Sequence, residues 1–398
     1  MAVREQPGRS PGAITPCVNR HAVAPANRGT RRCRRLARRP RARTAILVAS
    51  AAALLAWESP APAAAAAPAM PRISVRGDQL YAGDRPWHAW GMNWGVNDHA
   101  PVIAYFDQPT AANFDLLRSE LATARSIGAN SMRIYLQLGQ VMVTATRVRQ
   151  QTLVALQRLL ALAQRDGVYL DVTGDLVWRP ARSPQWYARL SWQARWRVQA
   201  RFWKAVAHAA ADSPAVLCYE LTSEPTVSST SGYYYGRIGQ WWFRQSIATA
   251  TGASAYSLAR SWTRLLATAV RSQDNRPVTI GLLPDTAGPF APSNIAGLLN
   301  MLVVHEYPTT GHAPAAISLI RSFADYRKPV LLGETFILDD DLATQYAFLT
   351  GAARYLVGAF EFFDGRDPRA IAPRTIYDAI YQQSLEQFIS VRRLLLAG

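Results

Sequence analysis

From residue 71 onward, short apolar runs alternate with longer stretches in which apolar residues recur at helical spacing. The short runs predict buried strands, and the longer stretches predict amphipathic helices. Eight strand candidates stand at 88–95, 131–137, 169–175, 216–222, 278–283, 301–307, 330–334 and 358–363. The clearest helices lie at 114–127, 151–165, 193–211 and 256–271. Gly128 and Gly167 follow two of these helices, at positions where a left-handed residue commonly ends a helix.

Eight strand–helix alternations within about 300 residues match the order and size of an α/β fold of the (β/α)8 TIM-barrel type. A doubly wound sheet also alternates strands and helices, so the count by itself leaves both folds open. The polar residues favour the barrel, because they cluster at the carboxyl ends of the strand candidates, where barrel enzymes place their chemistry. Before the first strand, the runs 73–75 and 79–81 flank Gly77-Asp78 and predict a small N-terminal β-hairpin. Residues 71–398 are therefore predicted to form a single (β/α)8 catalytic domain.

Residues 1–70 form a segment of different character, which we call the leader. Eight arginines stand between positions 31 and 43, an apolar run follows at 44–57, and small residues with Ala-x-Ala sites such as 61–63 come next. This order is typical of a secretory signal, and the paired arginines also fit the twin-arginine route. A retained membrane anchor is the alternative, since the alanine-rich continuation lengthens the apolar run. We expect an exported protein, secreted or periplasmic, whose leader is cleaved or serves as a membrane tether.

Composition and net charge indicate which kinds of binding partner the protein is expected to have. The chain of 398 residues has a formal net charge of +17, but the leader holds 12 of the 44 Lys and Arg residues and 2 of the 27 Asp and Glu residues. The remainder carries +7, a moderately basic surface that does not indicate nucleic-acid binding. Cys17 and Cys33 also lie in the leader, so Cys218 stands alone and no disulfide framework is expected. A Walker-A loop, a G-x-G-x-x-G motif and an H-E-x-x-H motif are missing from the sequence, and we expect neither a cofactor nor a metal.

Two of the strand candidates lead into a glutamate. The fourth strand runs through Glu220 towards Glu224, and the seventh ends at Glu334. Strands four and seven lie on opposite sides of an eight-stranded barrel, so both carboxylates can face one central cleft. Glycoside hydrolysis uses such a pair, because one carboxyl group protonates the departing oxygen while the other attacks the sugar or activates water. A lone strand-end glutamate would be explained better by a structural ion pair, so the interpretation depends on the flanking residues.

Those flanking residues resemble a known family. The segment Tyr-Glu-Leu-Thr-Ser-Glu-Pro at 219–225 resembles the W-E-L-x-N-E-P segment of glycoside hydrolase family five, the cellulase and endo-β-mannanase group of clan A barrels. His-Glu-Tyr-Pro at 305–308 resembles the H-x-Y-P segment of that family, and Gly333-Glu334 resembles its G-E at the end of strand seven. Arg133 stands where the family keeps an active-site arginine. Trp-Gly-Met-Asn at 90–93 is similar to the N-terminal start of the family, and the resemblance runs from about residue 72 to about residue 385.

The resemblance implies roles for five residues. Glu224 would be the acid/base and Glu334 the nucleophile of a retaining, double-displacement mechanism. Arg133 and Tyr307 would lie near the nucleophile, and His305 would line the cleft. Simple electrostatics agrees, because Arg133 beside Glu334 would keep that carboxylate ionised, whereas a less paired Glu224 could hold a proton near neutral pH. Without the two glutamates, a barrel ion pair and a core histidine would be the simpler interpretations of Arg133 and His305.

The sequence departs from the family pattern at two places. Ser223 stands where the family has an asparagine that contacts the sugar 2-hydroxyl, and serine is shorter with one donor fewer. The eighth strand ends Phe-Glu-Phe-Phe at 360–363, where the family usually has a tryptophan under the sugar. Phe362 or Phe363 would then serve as the apolar platform. Both departures bear on the level of activity and on the choice of substrate.

Aromatic residues are dense on the loops that follow strands three and four, and aromatic rings stack well on the apolar faces of sugars. Of these residues we assign Trp178 to the substrate. The others can equally serve ordinary packing: Trp186, Tyr187, Trp192, 233–235 and 241–242. Packing is the favoured role for Trp196 and Trp203, which recur at helical spacing.

Three functions fit these observations. The leading hypothesis is an exported retaining glycosidase, endo-β-1,4-mannanase-like or endoglucanase-like, that acts on β-mannan or β-glucan. The second is a glycan-binding barrel with weak or no turnover, which the departure at Ser223 and the missing tryptophan of the eighth strand motivate. The third is a membrane-tethered interaction protein, which the basic leader motivates. The partner expected in the first two cases is a polysaccharide or an oligosaccharide.

Overall fold

The structure of the protein is a computed structural model that describes residues 70–94, 101–175, 184–225 and 254–397. The chain divides into the units Met1–Ala65 and Ala66–Gly398, and every described residue belongs to the second unit. The predicted leader, apart from Met70, therefore lies outside the described residues. Trp178 and the aromatic residues at 233–235 and 241–242 lie outside them as well.

A small antiparallel sheet precedes the barrel. Its strands are β1 (Ile73–Arg76), β2 (Gln79–Ala82) and β3 (Arg85–Pro86), and they pair in that order. Gly77 opens the turn between β1 and β2 with a φ of 62°, a left-handed conformation that glycine adopts without strain. The predicted hairpin is thus present, and a third strand extends it.

Eight parallel strands close into a barrel, which confirms the predicted (β/α)8 fold. Each strand pairs with the next along the chain, and the last pairs with the first. The strands are β4 (Ala89–Trp94), β5 (Ser131–Gln137), β6 (Tyr169–Asp175), β7 (Val216–Ser223), β8 (Val278–Leu282), β9 (Leu302–His305), β10 (Val330–Thr335) and β11 (Gly358–Phe363). The sixth strand ends at His305, two residues before the predicted end, so Tyr307 lies on the loop that follows it.

Helices lie between the strands along the described chain. They are α1 (Pro101–Asp107), α2 (Ala111–Ser126), α3 (Leu138–Val141), α4 (Gln150–Asp166), α5 (Gln185–Ala188), α6 (Trp192–Ala210), α7 (Ala255–Arg271), α8 (Pro292–Ile295), α9 (Ala313–Ala324), α10 (Leu342–Ala352), α11 (Ile376–Ser390) and α12 (Arg392–Ala397). Short 3₁₀ turns lie at Ala296–Leu298, Ala353–Tyr355 and Pro368–Ala370. None of the helices within the described ranges is long and apolar enough to cross a membrane.

Local side-chain chemistry defines where several of these helices begin and end. A side-chain oxygen accepts a hydrogen bond from a backbone N–H of the first turn and so satisfies a donor that the helix leaves open. Such residues precede five helices: Thr110, Ser191, Ser254, Asp341 and Thr375. Gly167 ends α4 in the left-handed conformation, as predicted, and Gly128 lies one residue beyond the C-cap of α2 with a φ of 108°.

The interior of the barrel has an apolar part near the amino ends of the strands. Leu217, Val303, Leu331 and Phe360 pack there, and Ile73 and Leu80 of the small sheet belong to the same cluster. A larger apolar cluster includes the buried faces of the long helices, with Trp196 and Trp203 of α6 among its members. The predicted packing role of these two tryptophans is therefore confirmed.

Candidate active site

The polar residues at the carboxyl ends of the barrel strands converge on Glu334. Glu334 stands near the end of β10, where the pairing with β9 shifts register between Leu332 and Glu334. Such an irregularity re-aims a side chain that strict alternation would point away from the barrel. Glu334 consequently faces the barrel interior, on the same side as the adjacent Gly333.

Three donors hold the Glu334 carboxylate. Tyr307 donates its hydroxyl to Oε2 at 2.6 Å, the Arg133 guanidinium contacts Oε1 through Nη1, and the Tyr135 hydroxyl, 3.3 Å from Oε1, divides its one proton between Glu334 and Asn93. Burial by itself would raise the pKa of Glu334. The positive charges of His305 and Arg133 outweigh burial, together with the hydrogen bonds, and lower this pKa to about 2. The Glu334 carboxyl group is therefore ionised at neutral pH.

Glu224 follows β7 and faces Glu334 across the cleft. Its backbone has a φ of 44°, a left-handed conformation that costs a non-glycine residue about 1 kcal/mol. The Glu224 N–H donates to the Gly281 carbonyl of β8 at 2.8 Å, which holds this conformation. One carboxylate oxygen of Glu224 lies within 4.8 Å of one carboxylate oxygen of Glu334.

His305 lies between the two carboxylates. Its Nδ1 atom is 2.8 Å from Glu224 Oε1 and 3.6 Å from Glu334 Oε1, and the side chain is fully buried. Burial would lower the pKa of His305, but the charge of Glu334 and the hydrogen bond with Glu224 raise it above its ordinary value. Gly281 makes room for the ring, because a Cβ at that position would lie 2.8 Å from His305 Nε2.

Arg133 of β5 connects the nucleophile candidate with the rest of the barrel interior. The guanidinium is fully buried and donates through Nη2 to Glu220 as well as through Nη1 to Glu334. Its remaining contacts are hydrogen bonds to Asn93 Oδ1 at 3.1 Å, Tyr135 Oη at 2.6 Å, Thr173 Oγ1 at 3.1 Å and Ser223 Oγ at 3.2 Å. Nearly every donor of the guanidinium is thus occupied, and its position is fixed by four different strands.

The charges of two further buried carboxyl groups act on Arg133. Glu220 of β7 and Asp171 of β6 are fully buried. Burial raises the pKa of both groups and outweighs the opposing charge of Arg133. Sequence reasoning assigned no role to either residue. The signal that could have found Glu220 is its alternation with Cys218 and Thr222 on one strand face.

Asn93 and Tyr135 were also missed. Asn93 donates through Nδ2 to the Gly333 carbonyl at 2.8 Å and accepts from the Tyr135 hydroxyl at 3.1 Å, so it joins β4 to β10 beside Glu334. Tyr135 stands two residues after Arg133 on β5, and residues two apart in a strand share a face. That spacing was the available signal for Tyr135.

Ser223 reaches the same network. The pairing of β7 with β8 shifts register between Glu220 and Ser223, and Ser223 Oγ accepts from Arg133 Nη2 at 3.2 Å. The side chain is 5% exposed. The serine hydroxyl therefore contacts the arginine at the edge of the cleft.

The two phenylalanines predicted as the apolar platform under the sugar have different environments. Phe362 is half-buried, stacks on Phe336 with ring centroids 5.0 Å apart, and meets the Tyr307 ring edge-on at 6.0 Å. Phe363 was expected as an alternative platform, and this prediction is wrong. Phe363 is 1% exposed and shares a strand face with Glu361, which contacts the outer helix α11.

The loop after β6 places its described aromatic residues against helix α6. Tyr187 is fully buried and its hydroxyl accepts from Gln199 Nε2 at 2.7 Å. Trp192 packs edge-on against Trp196 with centroids 4.8 Å apart. Packing is the role that these contacts indicate for both residues.

Glu224, His305 and Glu334 each offer one ligand atom, and these three atoms lie within 4.8 Å of one another. A metal ion among them would lie beside the Arg133 guanidinium, which already contacts Glu334. The repulsion between two neighbouring positive charges disfavours a metal at this place.

No family model matches this chain, and no curated protein matches it either. Many solved structures share its fold. One is the exo-β-1,4-mannosidase of Opitutaceae bacterium strain TAV5, with a TM-score of 0.56 and 14% identity over 78% of this chain. This chain spans 60% of the length of that mannosidase.

Two more solved structures resemble this chain to a comparable degree. The β-mannanase of the blue mussel Mytilus edulis has a TM-score of 0.54 and 15% identity over 81% of this chain and 97% of its own. A GH5_18 protein of Streptomyces cattleya in complex with GlcNAc has a TM-score of 0.56 and 18% identity over 77% of this chain and 80% of its own. At these low identities the likeness shows a shared barrel fold.

Proposed function

We propose that this protein is a retaining glycoside hydrolase of the family-five type that cleaves β-linked polysaccharide of the mannan or glucan type. One observation carries the proposal: two carboxylates, with one oxygen of each within 4.8 Å of one oxygen of the other, face one cleft at the carboxyl end of a (β/α)8 barrel. Retaining glycosidases hold their two carboxyl groups about 5–5.5 Å apart, whereas inverting enzymes leave about 6.5–9.5 Å for a water molecule. The short separation favours retention.

In the first step, Glu334 attacks the anomeric carbon while Glu224 protonates the departing glycosidic oxygen. The Glu334 carboxylate suits this role because its pKa of about 2 keeps it ionised. Arg133 and Tyr307 hold its oxygens in place and limit its rotation. The products are a glycosyl ester on Glu334 and a free alcohol on the departing sugar.

In the second step, Glu224 removes a proton from water, and the water oxygen attacks the anomeric carbon of the ester. The Glu334 carboxylate leaves, and the sugar is released with its original configuration. The contact of 2.8 Å with His305 Nδ1 holds the Glu224 carboxyl group over the cleft in both steps. The Phe362 ring, stacked on Phe336, offers an apolar face on which a sugar ring can rest.

The substrate class rests on analogy with the solved structures of the same fold. Two of them are described as a mannosidase and a mannanase, and another is a family 5 xyloglucanase from Paenibacillus pabuli. The backbones of these substrates are β-linked, which suits the same pair of carboxylates. We propose cleavage inside the chain of a β-1,4-linked mannan or glucan.

Hydrolysis of a polysaccharide panel tests the proposal. The panel contains mannan, cellulose, xylan, β-1,3-glucan and bacterial exopolysaccharides, and the readouts are new reducing ends, product lengths and the first anomer released. We expect oligosaccharides from mannan or β-glucan, with the β-anomer appearing first in the proton NMR spectrum. Initial release of the α-anomer would contradict retention, and the absence of new reducing ends on every member would contradict hydrolysis.

A glycan-binding barrel without turnover is the second candidate. It is favoured by Ser223, which stands in place of the asparagine expected from the family pattern and contacts Arg133. A binder would retain affinity for one member of the panel and release no reducing ends from it. Affinity electrophoresis on the same polysaccharides separates the two candidates.

We also propose that the protein is exported, because the leader has the order of basic, apolar and small residues that secretory signals have. Fractionation of the producing cell, followed by N-terminal sequencing of the recovered protein, distinguishes a cleaved signal from a retained anchor.

A further inference from the structure

Glu220 is a buried carboxyl group to which the proposed reaction assigns no role. It lies on β7, on the strand that leads to Glu224, and its side chain is fully buried. Its Oε1 atom contacts Nη2 of Arg133, the guanidinium whose Nη1 contacts Glu334. A single side chain therefore connects Glu220 with the proposed nucleophile.

The same oxygen of Glu220 also faces His305. A Cβ on Gly281 would lie 2.5 Å from Glu220 Oε1 and 2.8 Å from His305 Nε2, so both atoms border one point beside β8. Gly333 leaves a corresponding space on β10, because a Cβ there would lie 3.3 Å from His305 Nε2. Since β8 and β10 flank β9, a glycine on each neighbouring strand makes room for the His305 ring.

The charged groups that face His305 among the described residues come from β5, β7 and β10. Glu334 of β10 lies 3.6 Å from Nδ1, and Glu224, which follows β7, lies 2.8 Å from the same atom. Arg133 of β5 is the neighbouring cation, and Glu220 of β7 is on the side of Nε2. The flanking strand β8 reads Val-Thr-Ile-Gly-Leu and contains no charged residue.

Both ring nitrogens of His305 consequently face a carboxyl group, Nδ1 that of Glu224 and Nε2 that of Glu220. Imidazolium is the form of histidine that has an N–H on both nitrogens, and neighbouring negative charges stabilise it. Burial lowers the pKa of His305, but the charge of Glu334 and the hydrogen bond with Glu224 raise it above its ordinary value, which agrees with this form. A donating Nδ1–H also leaves the second oxygen of Glu224 to carry the acidic proton.

The balance of charge shows which carboxyl group beside Arg133 is ionised. Arg133 and the imidazolium of His305 supply two positive charges, and Glu334 supplies one negative charge. An ion pair joins Glu220 to Arg133, whereas burial raises the pKa of Asp171 well above its usual range. The proton therefore lies on Asp171, and the second negative charge lies on Glu220.

We propose that Glu220 is a positioning residue for both carboxyl groups of the reaction, an inference that rests on the proposed function. It acts on Glu334 through Arg133, whose guanidinium contacts both carboxylates. It acts on Glu224 through His305, which its charge holds in the imidazolium form. Without that charge, a neutral His305 would accept at Nδ1 the proton that Glu224 delivers to the glycosidic oxygen.

The protonation of His305 tests the proposal without any measurement of hydrolysis. The full chain is produced with isotope-labelled histidine, the signals of residue 305 are identified by their loss in His305→Asn, and both ring nitrogens are followed by NMR as the pH is raised. We expect both nitrogens of the parent to carry protons at neutral pH. Glu220→Gln preserves the shape of the side chain and removes its charge, so its His305 should lose the proton at least about one pH unit lower.

Asp274→Asn is the matched control. Asp274 is also a buried carboxylate paired with an arginine, Arg276, and it accepts from the Tyr219 hydroxyl at 2.6 Å. Tyr219 directly precedes Glu220, so the two side chains lie on opposite faces of β7. Asp274→Asn should therefore leave the titration of His305 at its parent position.

Glu220→Asp retains the charge on a shorter side chain, and its His305 should titrate between the parent and Glu220→Gln. If Glu220→Gln does not fold, the shift of Glu220→Asp against the parent decides the question. Kinetics on the substrate found in the panel gives a second readout. Because Glu220 is fully buried and does not contact the sugar, Glu220→Gln should lower kcat about tenfold or more and leave KM within about threefold.

Three results would overturn the proposal. The first is a folded Glu220→Gln whose His305 titrates as in the parent, which would show that Glu220 carries no charge or acts on Arg133 alone. The second is an equal shift in Asp274→Asn, which would show a general loss of packing around β7. The third is a parent His305 that is neutral at neutral pH. Failure of the proposed function would appear separately, as the absence of hydrolysis across the polysaccharide panel, because the titration needs no substrate.

Discussion

The two halves of the barrel interior are built from the same strands but from opposite kinds of side chain. Near the amino ends of the strands, Leu217, Val303 and Leu331 pack with the small N-terminal sheet and exclude water. Two or three residues further along, β7 carries Glu220, β9 carries His305 and β10 carries Glu334, and these groups are almost as deeply buried. Burial alone therefore does not distinguish the halves; the chemistry of what is buried does.

This difference separates stability from function. Burial of an aliphatic side chain stabilises the folded state by about 1.5–3 kcal/mol, whereas a buried ion pair at best offsets the cost of removing its charges from water. Burial in the apolar half thus contributes the stability that offsets the cost of holding charged groups at short distances in the polar half. Substitutions in the two halves should consequently have different effects.

The largest expected effect is on turnover in the polar half. Glu334→Gln removes the proposed nucleophile and should lower kcat by at least about four orders of magnitude. The chain should remain folded, because Arg133 retains Glu220 as a charged partner. Steady-state kinetics on the substrate found in the panel, with circular dichroism of the same sample, measures both quantities.

Asp78→Asn is the control for this change, since Asp78 is an exposed residue in the turn of the small N-terminal sheet. It should retain the parent kcat. A Glu334→Gln protein that is folded and turns over at the parent rate would contradict the proposed mechanism.

The matching substitution in the apolar half should lower the stability of the fold and leave turnover nearly unchanged. Leu331→Ala creates a cavity three residues before Glu334 on the same strand and should lower the free energy of unfolding by about 3 kcal/mol. Below the unfolding transition, kcat should stay within about threefold of the parent value, because the polar contacts are untouched. Urea unfolding and kinetics at low temperature test this pair of outcomes. A loss of kcat as large as that of Glu334→Gln would show that the two halves are not separable.

A smaller effect is expected at the border between the cleft and the arginine network. Ser223→Asn lengthens a side chain that accepts a hydrogen bond from Arg133 at 3.2 Å. We expect the extra atoms to crowd the sugar 2-position and to lower kcat/KM on the true substrate about tenfold, or by about 1.4 kcal/mol. Kinetics of parent and variant on plain mannan and glucan provides the comparison. A gain in kcat/KM on these polymers would instead mean that serine weakens an ordinary site.

The smallest effect concerns pH. Glu306 follows β9, and burial raises its pKa to about 7, above its ordinary value of 4.5. A raised carboxyl pKa gives stability that is fully present below about pH 4.5 and is lost as the pH rises through about 7. Relative to Glu306→Gln, the parent should therefore lose about 1–2 kcal/mol of unfolding free energy between about pH 5 and about pH 8. Urea unfolding of both proteins at the two pH values measures this loss, and parallel curves would contradict it.

Much of the fold follows from the sequence because barrel strands and helices have strong local patterns. The predicted strands 131–137, 169–175 and 358–363 have the observed bounds, since each is a short β-rich run between polar loop residues. The strand-end position of Glu334 follows from the pattern of strands in a barrel, and the approach of Arg133 to it was implied by the resemblance to glycoside hydrolase family five. Composition and alternation within one strand contain this information.

Only the tertiary structure determined which side chains meet. Register shifts in β7 and β10 turn Ser223 and Glu334 towards Arg133, and a register shift depends on the neighbouring strand as well as on the chain itself. Glu220 and Asp171 became part of the network because β7 and β6 bring their charges to one guanidinium, and Asp171 is the direct partner of Arg133 in the pairing of β5 with β6. Phe362 and Phe363 are identical in the sequence, and the pleat of β11 alone directs one ring to the cleft and the other to the outer layer. The sequence therefore determines which residues stand at the strand ends, and the packing of strand against strand determines what those residues can do.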